Sequence, residues 1–329
     1  MTMQRLLVTG GAGYIGSILV RDLLNAGHHV TCLDNLRFGG ESLVDVWRHE
    51  RFSFHKCDIT DFASVDQILQ RGRVDGIIHL AAIVGDPACK KEPEQATAIN
   101  WNASVHLLEA ARKAKVARFV FASTCSNYGK MADPDGYVTE TSPLSPVSLY
   151  AELKVKFENL IMHEIPKSDD FAPTSLRFAT VYGLSPRMRF DLTVNEFTKS
   201  VALGEELVVF GEQFWRPYCH VTEFSRAIQA VLAAPRQRVA YDVFNVGSTT
   251  ENYTKRMIAE ELRRQIPGAR VRYVAKTEDP RDYRVDFSKI ESTLGFKPIM
   301  TVPDGIREVR EVLQLGVITE PNHQRYYNS

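Results

Sequence analysis

The chain has 329 residues, of which 44% are hydrophobic and 24% are charged, an ordinary composition for a globular protein of one large or two average domains. Its 40 basic residues balance its 40 acidic residues, which argues against nucleic-acid binding, because phosphate backbones attract a clustered cationic excess. The five cysteines are scattered and include no C-x-x-C pair, which argues against a disulfide framework and against a zinc or other metal site.

The first residues lead directly into an apolar run and a glycine turn, without the basic and apolar regions of a signal peptide. The sequence has no run of 18 or more apolar residues of the kind that spans a bilayer. We therefore expect a cytoplasmic protein with no membrane partner.

Short apolar runs alternate with helical patterns along the first 180 residues. The predicted strands are Arg5–Thr9, His29–Leu33, Phe52–Lys56, Gly76–Leu80, Arg118–Ala122 and Thr174–Phe178. The predicted helices are Tyr14–Ala26, Phe62–Gln70, Pro93–Ala114 and Leu149–Ile165. Near-continuous apolar strands joined by helices indicate an α/β fold with a doubly wound parallel sheet, which binds ligands at the carboxyl ends of its strands.

The pattern becomes less regular after about residue 180. The predicted elements there are helices at Asp191–Leu203, Glu223–Ala234, Thr254–Gln265 and Thr301–Leu315, and strands at Leu207–Phe210 and Tyr241–Asn245. We predict one domain over residues 1–180 and a smaller C-terminal lobe over residues 181–329. Segments near 215–247 are expected to return to the first domain.

A glycine-rich turn, Thr9-Gly10-Gly11-Ala12-Gly13-Tyr14-Ile15-Gly16, follows the first strand and opens the first helix. Its glycines let the backbone approach a pyrophosphate, and the helix N-terminus presents free N–H groups to that anion.

Asp34 ends the second strand. Its separation from the glycine turn is close to the ~20 residues expected for the carboxylate that binds the adenosine ribose. That carboxylate repels a 2′-phosphate and favours NAD over NADP, although Arg37 nearby weakens the preference. The alternative is a turn that only joins strand to helix.

Asp58 ends the third predicted strand, and two roles are open for it. It either accepts a hydrogen bond from the adenine amino group or, with Thr60 or Asp61, caps the helix that follows.

Tyr150 and Lys154 lie four residues apart in a predicted helix, which places both on one face, ~6 Å apart along the axis. A free tyrosine has a pKa of about 10, and a nearby ammonium group lowers that pKa. The pair is suited to moving a proton from a substrate hydroxyl while a nicotinamide takes hydride.

Such a pair is common on exposed helices, but here it follows a glycine turn and a strand end rich in hydroxyls. There, Thr124 either hydrogen-bonds the reacting oxygen or serves as a turn hydroxyl.

The segments TGGAGYIG, CDIT, HLAA, STCSNYG and YAELK, together with Asp34, resemble the extended short-chain dehydrogenase/reductases, and within them the nucleotide-sugar epimerase/dehydratase group. The resemblance implies an NAD-binding Rossmann domain over residues 1–180 and a substrate-binding C-terminal lobe. The catalytic residues that it implies are Tyr150, Lys154 and Thr124. The cofactor-binding residues that it implies are Gly10, Gly13, Tyr14, Ile15, Gly16, Asp34, Asn35, Asp58, Ile59, Leu80, Ala81, Ala82, Asn100, Tyr150 and Lys154. His79, in an apolar strand, is expected to be structural.

The same resemblance implies a nucleoside-diphosphate sugar as the substrate. Arg216 and Arg281 match segments whose arginines bind the substrate diphosphate, and surface ion pairing is the alternative for each. The substrate-binding residues that it implies are Thr124, Cys125, Ser126, Thr180, Asn195, Arg216 and Arg281. Arg187, Met188 and Arg189 are expected on a substrate loop.

Two departures from the family pattern bear on the reaction. Thr180 stands where many relatives carry asparagine, which puts one substrate contact in doubt. Cys125 and Ser126 stand where the 4,6-dehydratases carry Asp and Glu, and a thiol and a hydroxyl are poor replacements for that pair. Cys125 is either a proton donor or, as we prefer, a small half-buried residue.

We therefore expect an NAD-dependent nucleotide-sugar epimerase in which Tyr150 removes the C4 hydroxyl proton and hydride returns to the other face of a 4-keto sugar. A 4-keto-sugar reductase is the second hypothesis, and a dehydratase or decarboxylase is the third. A non-catalytic NAD sensor is the fourth, although a sensor does not need the Thr124–Tyr150–Lys154 set.

The resemblance also implies a homodimer, packed through the helices that begin near Pro93 and Leu149. The first of these helices carries apolar residues on more than one side and needs more than one packing partner. Burial under the C-terminal lobe is the alternative.

Overall fold

The computed structural model describes residues 3–131, 133 and 136–328. The strands are β1 Arg5–Thr9, β2 His29–Asp34, β3 Phe52–Lys56, β4 Gly76–His79, β5 Arg118–Thr124, β6 Ala172–Phe178, β7 Thr180–Tyr182, β8 Leu207–Phe210, β9 Trp215–His220, β10 Asp242–Val246, β11 Asn252–Thr254 and β12 Val271–Val274. The α-helices are α1 Gly16–Asn25, α2 Phe62–Arg71, α3 Asp86–Lys91, α4 Pro93–Thr97, α5 Ser104–Lys113, α6 Leu149–Asn159, α7 Thr193–Ala202, α8 Val221–Ala233, α9 Lys255–Gln265, α10 Ser288–Leu294 and α11 Val302–Gln314.

The main sheet has seven strands in the order β10-β6-β5-β4-β1-β2-β3, and every neighbouring pair is parallel. Successive side chains of β1 enter opposite cores: Leu6 and Val8 lie in one apolar cluster and Leu7 in another. Both faces of the sheet are therefore covered, which confirms the predicted doubly wound fold. The strand order reverses between β1 and β4, so the carboxyl ends of these two strands form the switch point at which such sheets bind ligands.

Most of the chain after residue 180 packs beyond the carboxyl edge of the sheet as a smaller unit. It contains the three-stranded sheet β11-β9-β7 and the two-stranded sheet β12-β8, with an apolar core of its own that includes Val194, Val209 and Ile258. Two of its elements belong to the main sheet region: β10 pairs with β6, and α8 packs on α1, where the Ser225 hydroxyl donates to Asp22 at 2.6 Å. No helix in the described ranges is both long and apolar enough to cross a membrane.

The predicted helix Pro93–Ala114 is divided by a π-helical segment, Ala98–Ala103, between α4 and α5. The Ser104 hydroxyl donates to the carbonyls of Ile99 and Asn100, at 3.3 and 3.1 Å, and so bonds the backbone where the segment ends. Such insertions recur at functional sites because they re-aim side chains. Hydrophobic spacing predicted the extent of this helix but not its interruption.

Glu158 of α6 and Arg177 of β6 form an ion pair in the interior, and their side chains are only 3% and 4% exposed. The Arg177 Nε donates to both carboxylate oxygens, at 3.0 and 3.2 Å, and its Nη1 donates to the Tyr128 hydroxyl at 2.9 Å. The Ser123 hydroxyl completes the set by donating to Glu158 at 2.9 Å. These bonds offset the cost of removing two charges from water and fix α6 against the sheet.

Glu158→Gln is predicted to lower the free energy of unfolding by about 3–5 kcal/mol, because it leaves the buried Arg177 charge without its counter-ion. Urea unfolding measures the change. The matched control is Glu206→Gln, which breaks an ion pair with Arg272 whose partners are about half exposed, and which should cost no more than about 1 kcal/mol. Equal losses in the two variants would contradict a structural role for the buried pair.

Candidate active site

The glycine turn forms a cradle at the start of α1. Gly10 has a φ of +72°, and a Cβ there would lie 2.8 Å from the Ala81 nitrogen, so only glycine is tolerated. A Cβ at Gly16 would collide with the Gly10 carbonyl, whereas one at Gly13 would meet only that carbonyl oxygen, at 3.2 Å. Ile15 occupies the N-cap position and provides no side-chain cap. No side chain therefore caps the start of α1, and this positive end of the helix dipole is available to an anion.

Asp34 lies at the carboxyl end of β2, beside this cradle. Its carboxylate accepts hydrogen bonds from the backbone N–H groups of Ala12, at 3.0 Å, and Leu36, at 2.8 Å. Burial raises the pKa of Asp34, and the two N–H donors oppose that shift. The Arg37 guanidinium turns away toward Glu92 and pairs with it at 2.6 Å.

Asp58 and Asn35 meet at the same edge, where the Asn35 amide donates to the Asp58 carboxylate at 2.7 Å. The other Asp58 oxygen accepts from the N–H and hydroxyl of Thr60, at 2.9 and 2.7 Å. The cap of α2 is Asp61, which accepts from the backbone N–H of Ser64. Of the two capping residues suggested beside Asp58, Asp61 is the cap. Ile59 is buried in the core.

The segment after β4 closes the cradle on its other side. The backbone N–H groups of Leu80 and Ala81 donate to the carbonyl and the hydroxyl of Thr9, at 3.1 and 3.3 Å, and the half-buried Ala82 follows. The amide of Asn100 is 1% exposed and exchanges two 2.9 Å hydrogen bonds with the backbone of Ile83. Asn100 therefore positions this segment, and its predicted direct contact with a cofactor is not supported by the geometry.

His79, at the end of β4, is buried between the hydroxyls of Thr9 and Ser104, at 2.8 and 2.9 Å. Burial lowers the pKa of His79 to about 3, so the ring is neutral. The prediction that this histidine is structural is confirmed.

Tyr150 and Lys154 lie on the face of α6 that meets the end of β5. Ser148 caps the helix by accepting from the N–H of Ala151. The Lys154 ammonium donates to the Ala122 carbonyl at 2.8 Å and lies 5.9 Å from the centroid of the Tyr150 ring. The Tyr150 phenol hydrogen-bonds Thr124. The fold thus brings together the three residues that the sequence suggested as catalytic.

Burial shifts the pKa values of this set in the direction opposite to the one expected from the sequence. It raises the pKa of Tyr150, to which the neighbouring Cys89 adds, and it lowers the pKa of Lys154 to about 7. The prediction that the ammonium lowers the tyrosine pKa is therefore wrong for the protein alone, because burial is the largest influence on the phenol and the charge that opposes it is that of Arg189.

Cys125 is 1% exposed, and its thiol donates to the Arg177 carbonyl at 3.2 Å. Burial raises the pKa of this thiol. This position agrees better with the preferred alternative, a small packed residue, than with the predicted contact with the substrate, and Cys125 is more deeply buried than that alternative expected. Ser126 is half-buried and hydrogen-bonds the phenol of Tyr283, and Thr180 is half-buried at the start of β7.

Asn195 lies at the start of α7 and is fully buried. Its amide oxygen accepts from the Gly183 N–H at 2.9 Å, and its amide nitrogen donates to the Tyr14 hydroxyl at 3.0 Å and to the Arg189 carbonyl at 2.9 Å. Both ends of the amide are engaged within the protein, so this geometry does not support the predicted contact of Asn195 with the substrate diphosphate. The Tyr14 hydroxyl likewise donates to the Gly183 carbonyl, so it is engaged within the protein.

Arg216 and Arg281 come together around one carboxylate. The Arg216 guanidinium pairs with Asp279 at 2.9 Å, and the backbone N–H of Arg281 donates to the same carboxylate at 3.0 Å. The Arg281 guanidinium reaches Asp86, at 2.8 Å, which also accepts from the Ser148 hydroxyl at 2.6 Å. The sequence predicted the two arginines but missed both acids. Asp86 is 195 residues from Arg281, and no local pattern connects them. Asp279 is two residues from Arg281 but pairs with the distant Arg216.

Comparisons with known proteins show which family the chain resembles over most of its length. The family model described as the NAD dependent epimerase/dehydratase family matches residues 6–247. A UDP-glucose 4-epimerase from Lactobacillus helveticus is 30% identical over 313 residues, which cover 90% of this chain and 92% of that protein. A dTDP-glucose 4,6-dehydratase from Streptomyces niveus is 32% identical over 321 residues, which cover 94% and 92%.

Among solved structures, a dTDP-glucose 4,6-dehydratase from Streptomyces venezuelae with NAD and TYD bound is 30% identical, with a TM-score of 0.83. The match covers 97% of this chain and all of that one. NAD fits the residues present here: a Cβ at Gly13 would meet only the Gly10 carbonyl oxygen, so the turn leaves room for a ligand to approach its backbone, and the Asp34 carboxylate is bonded to the Ala12 N–H of the same turn. The chain belongs to the NAD-dependent epimerase/dehydratase family and is an enzyme that uses NAD.

Proposed function

We propose that the protein is a nucleotide-sugar epimerase that works through a 4-keto intermediate. The observation that carries the proposal is the chemistry beside Thr124, where the next two residues are a buried thiol, Cys125, and a hydroxyl, Ser126. Removal of water from a keto sugar needs an acid and a base, and neither side chain is suited to that work at neutral pH. Tyr150, Thr124 and Lys154 supply the single proton transfer that an epimerase needs.

In this proposal, Tyr150 takes the proton of the sugar C4 hydroxyl and later returns it. The Thr124 hydroxyl, which hydrogen-bonds the Tyr150 phenol, orients it toward the reacting oxygen. Lys154 stabilises the phenolate when it is charged. Bound NAD supplies the acceptor and donor of the C4 hydride. The reaction is redox-neutral, because the same hydride and proton return to the sugar with inversion at C4.

Arg216 and Arg281 are the residues that we assign to the substrate diphosphate. Their guanidinium groups lie close to Asp279 and Asp86, and Lys255 adds a further positive charge near Asp279. Arginine binds phosphate oxygens in a bidentate manner, and an anchored diphosphate leaves the keto sugar free to rotate. Mass analysis of ligands that copurify identifies the nucleoside and the sugar.

The reaction class is tested by incubating the NAD-bound protein with a panel of UDP- and dTDP-hexoses. We expect a C4-inverted product of unchanged mass, with no net change in absorbance at the reduced-nicotinamide band. Net oxidation of added NADH would make the protein a reductase, and loss of water from the product would make it a dehydratase. Binding of the whole panel without turnover would favour a sensor.

Tyr150→Phe is predicted to lower turnover by about 10²–10⁴-fold, because it removes only the group that transfers the proton. NAD should still bind, which its copurification would measure. The matched control is Tyr273→Phe, which also removes one phenolic hydroxyl. The Tyr273 oxygen, in β12, is buried and has no hydrogen-bond partner among the described residues. Unchanged turnover in Tyr150→Phe would contradict the catalytic assignment.

We also propose that two copies pack through the outer faces of α5 and α6. Three apolar residues at these faces remain half-buried: Trp101 in the π-helical segment before α5, Val105 in α5 and Leu160 directly after α6. A symmetric dimer would cover them with the same residues of a second chain. Light scattering should give about twice the single-chain mass of 37.1 kDa, and a value near 37.1 kDa would reject the dimer.

A further inference from the structure

The chain after β7 runs as a strap, residues 183–191, across the start of α1. The Ser185 hydroxyl donates to the Tyr14 carbonyl at 2.6 Å and lies 3.1 Å from the Ser17 hydroxyl. Met188 is 4% exposed and packs with Tyr14 and Ile18. These contacts hold the strap beside the glycine cradle, so its side chains have fixed positions.

Arg187 lies within this strap and is 6% exposed. Its guanidinium carbon lies 4.4 Å from the centroid of the Phe38 ring, in the loop that follows β2. Its Nε and Nη2 are buried and have no hydrogen-bond partner among the described residues. A buried cation with unpaired N–H groups is costly, and natural interiors pair such groups.

The neighbouring charges do not supply that partner. Asp191 binds the next arginine of the strap, Arg189, which donates to it at 2.9 and 2.7 Å. Burial and the repulsion of Arg189 lower the pKa of Arg187 to about 10, so Arg187 still carries its charge at neutral pH. Arg187 therefore places one positive charge without a paired carboxylate beside the glycine cradle.

We propose that Arg187 binds the diphosphate of NAD. The strap that carries Arg187 is bonded through Ser185 to Tyr14 and Ser17 at the start of α1, the end of a helix that favours an anion. The Arg187 guanidinium lies against Phe38, four residues beyond Asp34 on the adenosine side. A guanidinium offers two parallel N–H donors to phosphate oxygens. The nucleotide-sugar substrate also carries a diphosphate. We assign that diphosphate to Arg216 and Arg281, which lie around Asp279, and we therefore assign the diphosphate of NAD to Arg187. The inference depends on NAD binding and not on which sugar reaction follows.

Arg187→Gln is predicted to weaken NAD binding by about ten- to a hundredfold, as expected for the loss of charge-assisted hydrogen bonds. Titration calorimetry of protein stripped of nucleotide with charcoal measures the dissociation constant. Arg187→Lys, which keeps the charge but loses the planar pair of donors, should fall between wild type and Arg187→Gln. Adenosine, which lacks phosphate, should bind wild type and Arg187→Gln equally.

The matched control is Arg37→Gln. Arg37 lies 5.8 Å from the centroid of the same Phe38 ring, but its guanidinium is already bonded to Glu92 and Gln95. Its removal changes the net charge equally and should alter NAD affinity by no more than about twofold, in line with an exposed ion pair. An equal loss in both variants would overturn the proposal in favour of long-range electrostatics.

Thermal unfolding separates binding from a structural role. Without NAD, Arg187→Gln should melt at or above the temperature of wild type, because it removes an uncompensated buried charge. The increase in melting temperature on adding NAD should shrink in the same variant. A lower melting temperature with unchanged NAD affinity would overturn the proposal. A loss of affinity for UDP or dTDP in place of NAD would overturn it as well, since Arg187 would then belong to the substrate diphosphate.

Discussion

The buried ion pair between Glu158 and Arg177 is the contact on which the geometry of the site depends. Arg177 belongs to β6, whereas Glu158 lies two turns beyond Tyr150 on α6, and Ser123, one residue before Thr124, donates to the same carboxylate. The pair thereby sets the distance between the helix that carries Tyr150 and the strand end that carries Thr124. Two desolvated charges would destabilise the interior, but here each is satisfied by several hydrogen bonds.

Burial also governs the electrostatics of the site. The chain has no net charge, yet arginines are gathered where the ligands are proposed to bind. Arg189 and Arg216 have carboxylate partners, whereas the buried Nε and Nη2 of Arg187 have no partner among the described residues. Loss of solvent raises the pKa of Tyr150 and lowers the pKa of Lys154 to about 7, so without ligands Tyr150 is protonated at neutral pH and Lys154 is close to its own titration point. Because Tyr150 and Lys154 are buried, water screens them little from the charge of a bound ligand, which therefore shifts their pKa values strongly.

The main sheet could be predicted from the sequence because its strands are short apolar runs bounded by turn residues. The predicted bounds of β1, β3 and β8 coincide with the observed ones. The short strands β7, β9 and β11 were missed, since their sequences, such as WRPYCH, have neither an apolar run nor a two-residue alternation. The π-helical segment at Ala98–Ala103 was missed because side-chain hydrogen bonds, and not hydrophobic spacing, accompany it.

The features of the candidate site also fall into two groups, those that the sequence predicted and those that it could not predict. Residues tied to a local motif, such as Gly10, Asp34 and the Tyr150–Lys154 pair, were predicted and lie together in the structure. Contacts between distant segments were not predictable: a sequence pattern does not reveal that the Asn195 amide is used by Tyr14 and Gly183, or that Asp86 meets Arg281. The unpaired state of Arg187 is likewise visible only once the surrounding groups are in place.

The most direct test of the account follows the hydrogen at C4 of the sugar. UDP- and dTDP-hexoses with deuterium at C4 are incubated with the NAD-bound protein, and the products are examined by mass spectrometry and NMR. The account predicts a product inverted at C4 that keeps its deuterium at C4 and has not lost water. Deuterium that exchanges with solvent, or moves to another carbon as water is lost, would contradict it.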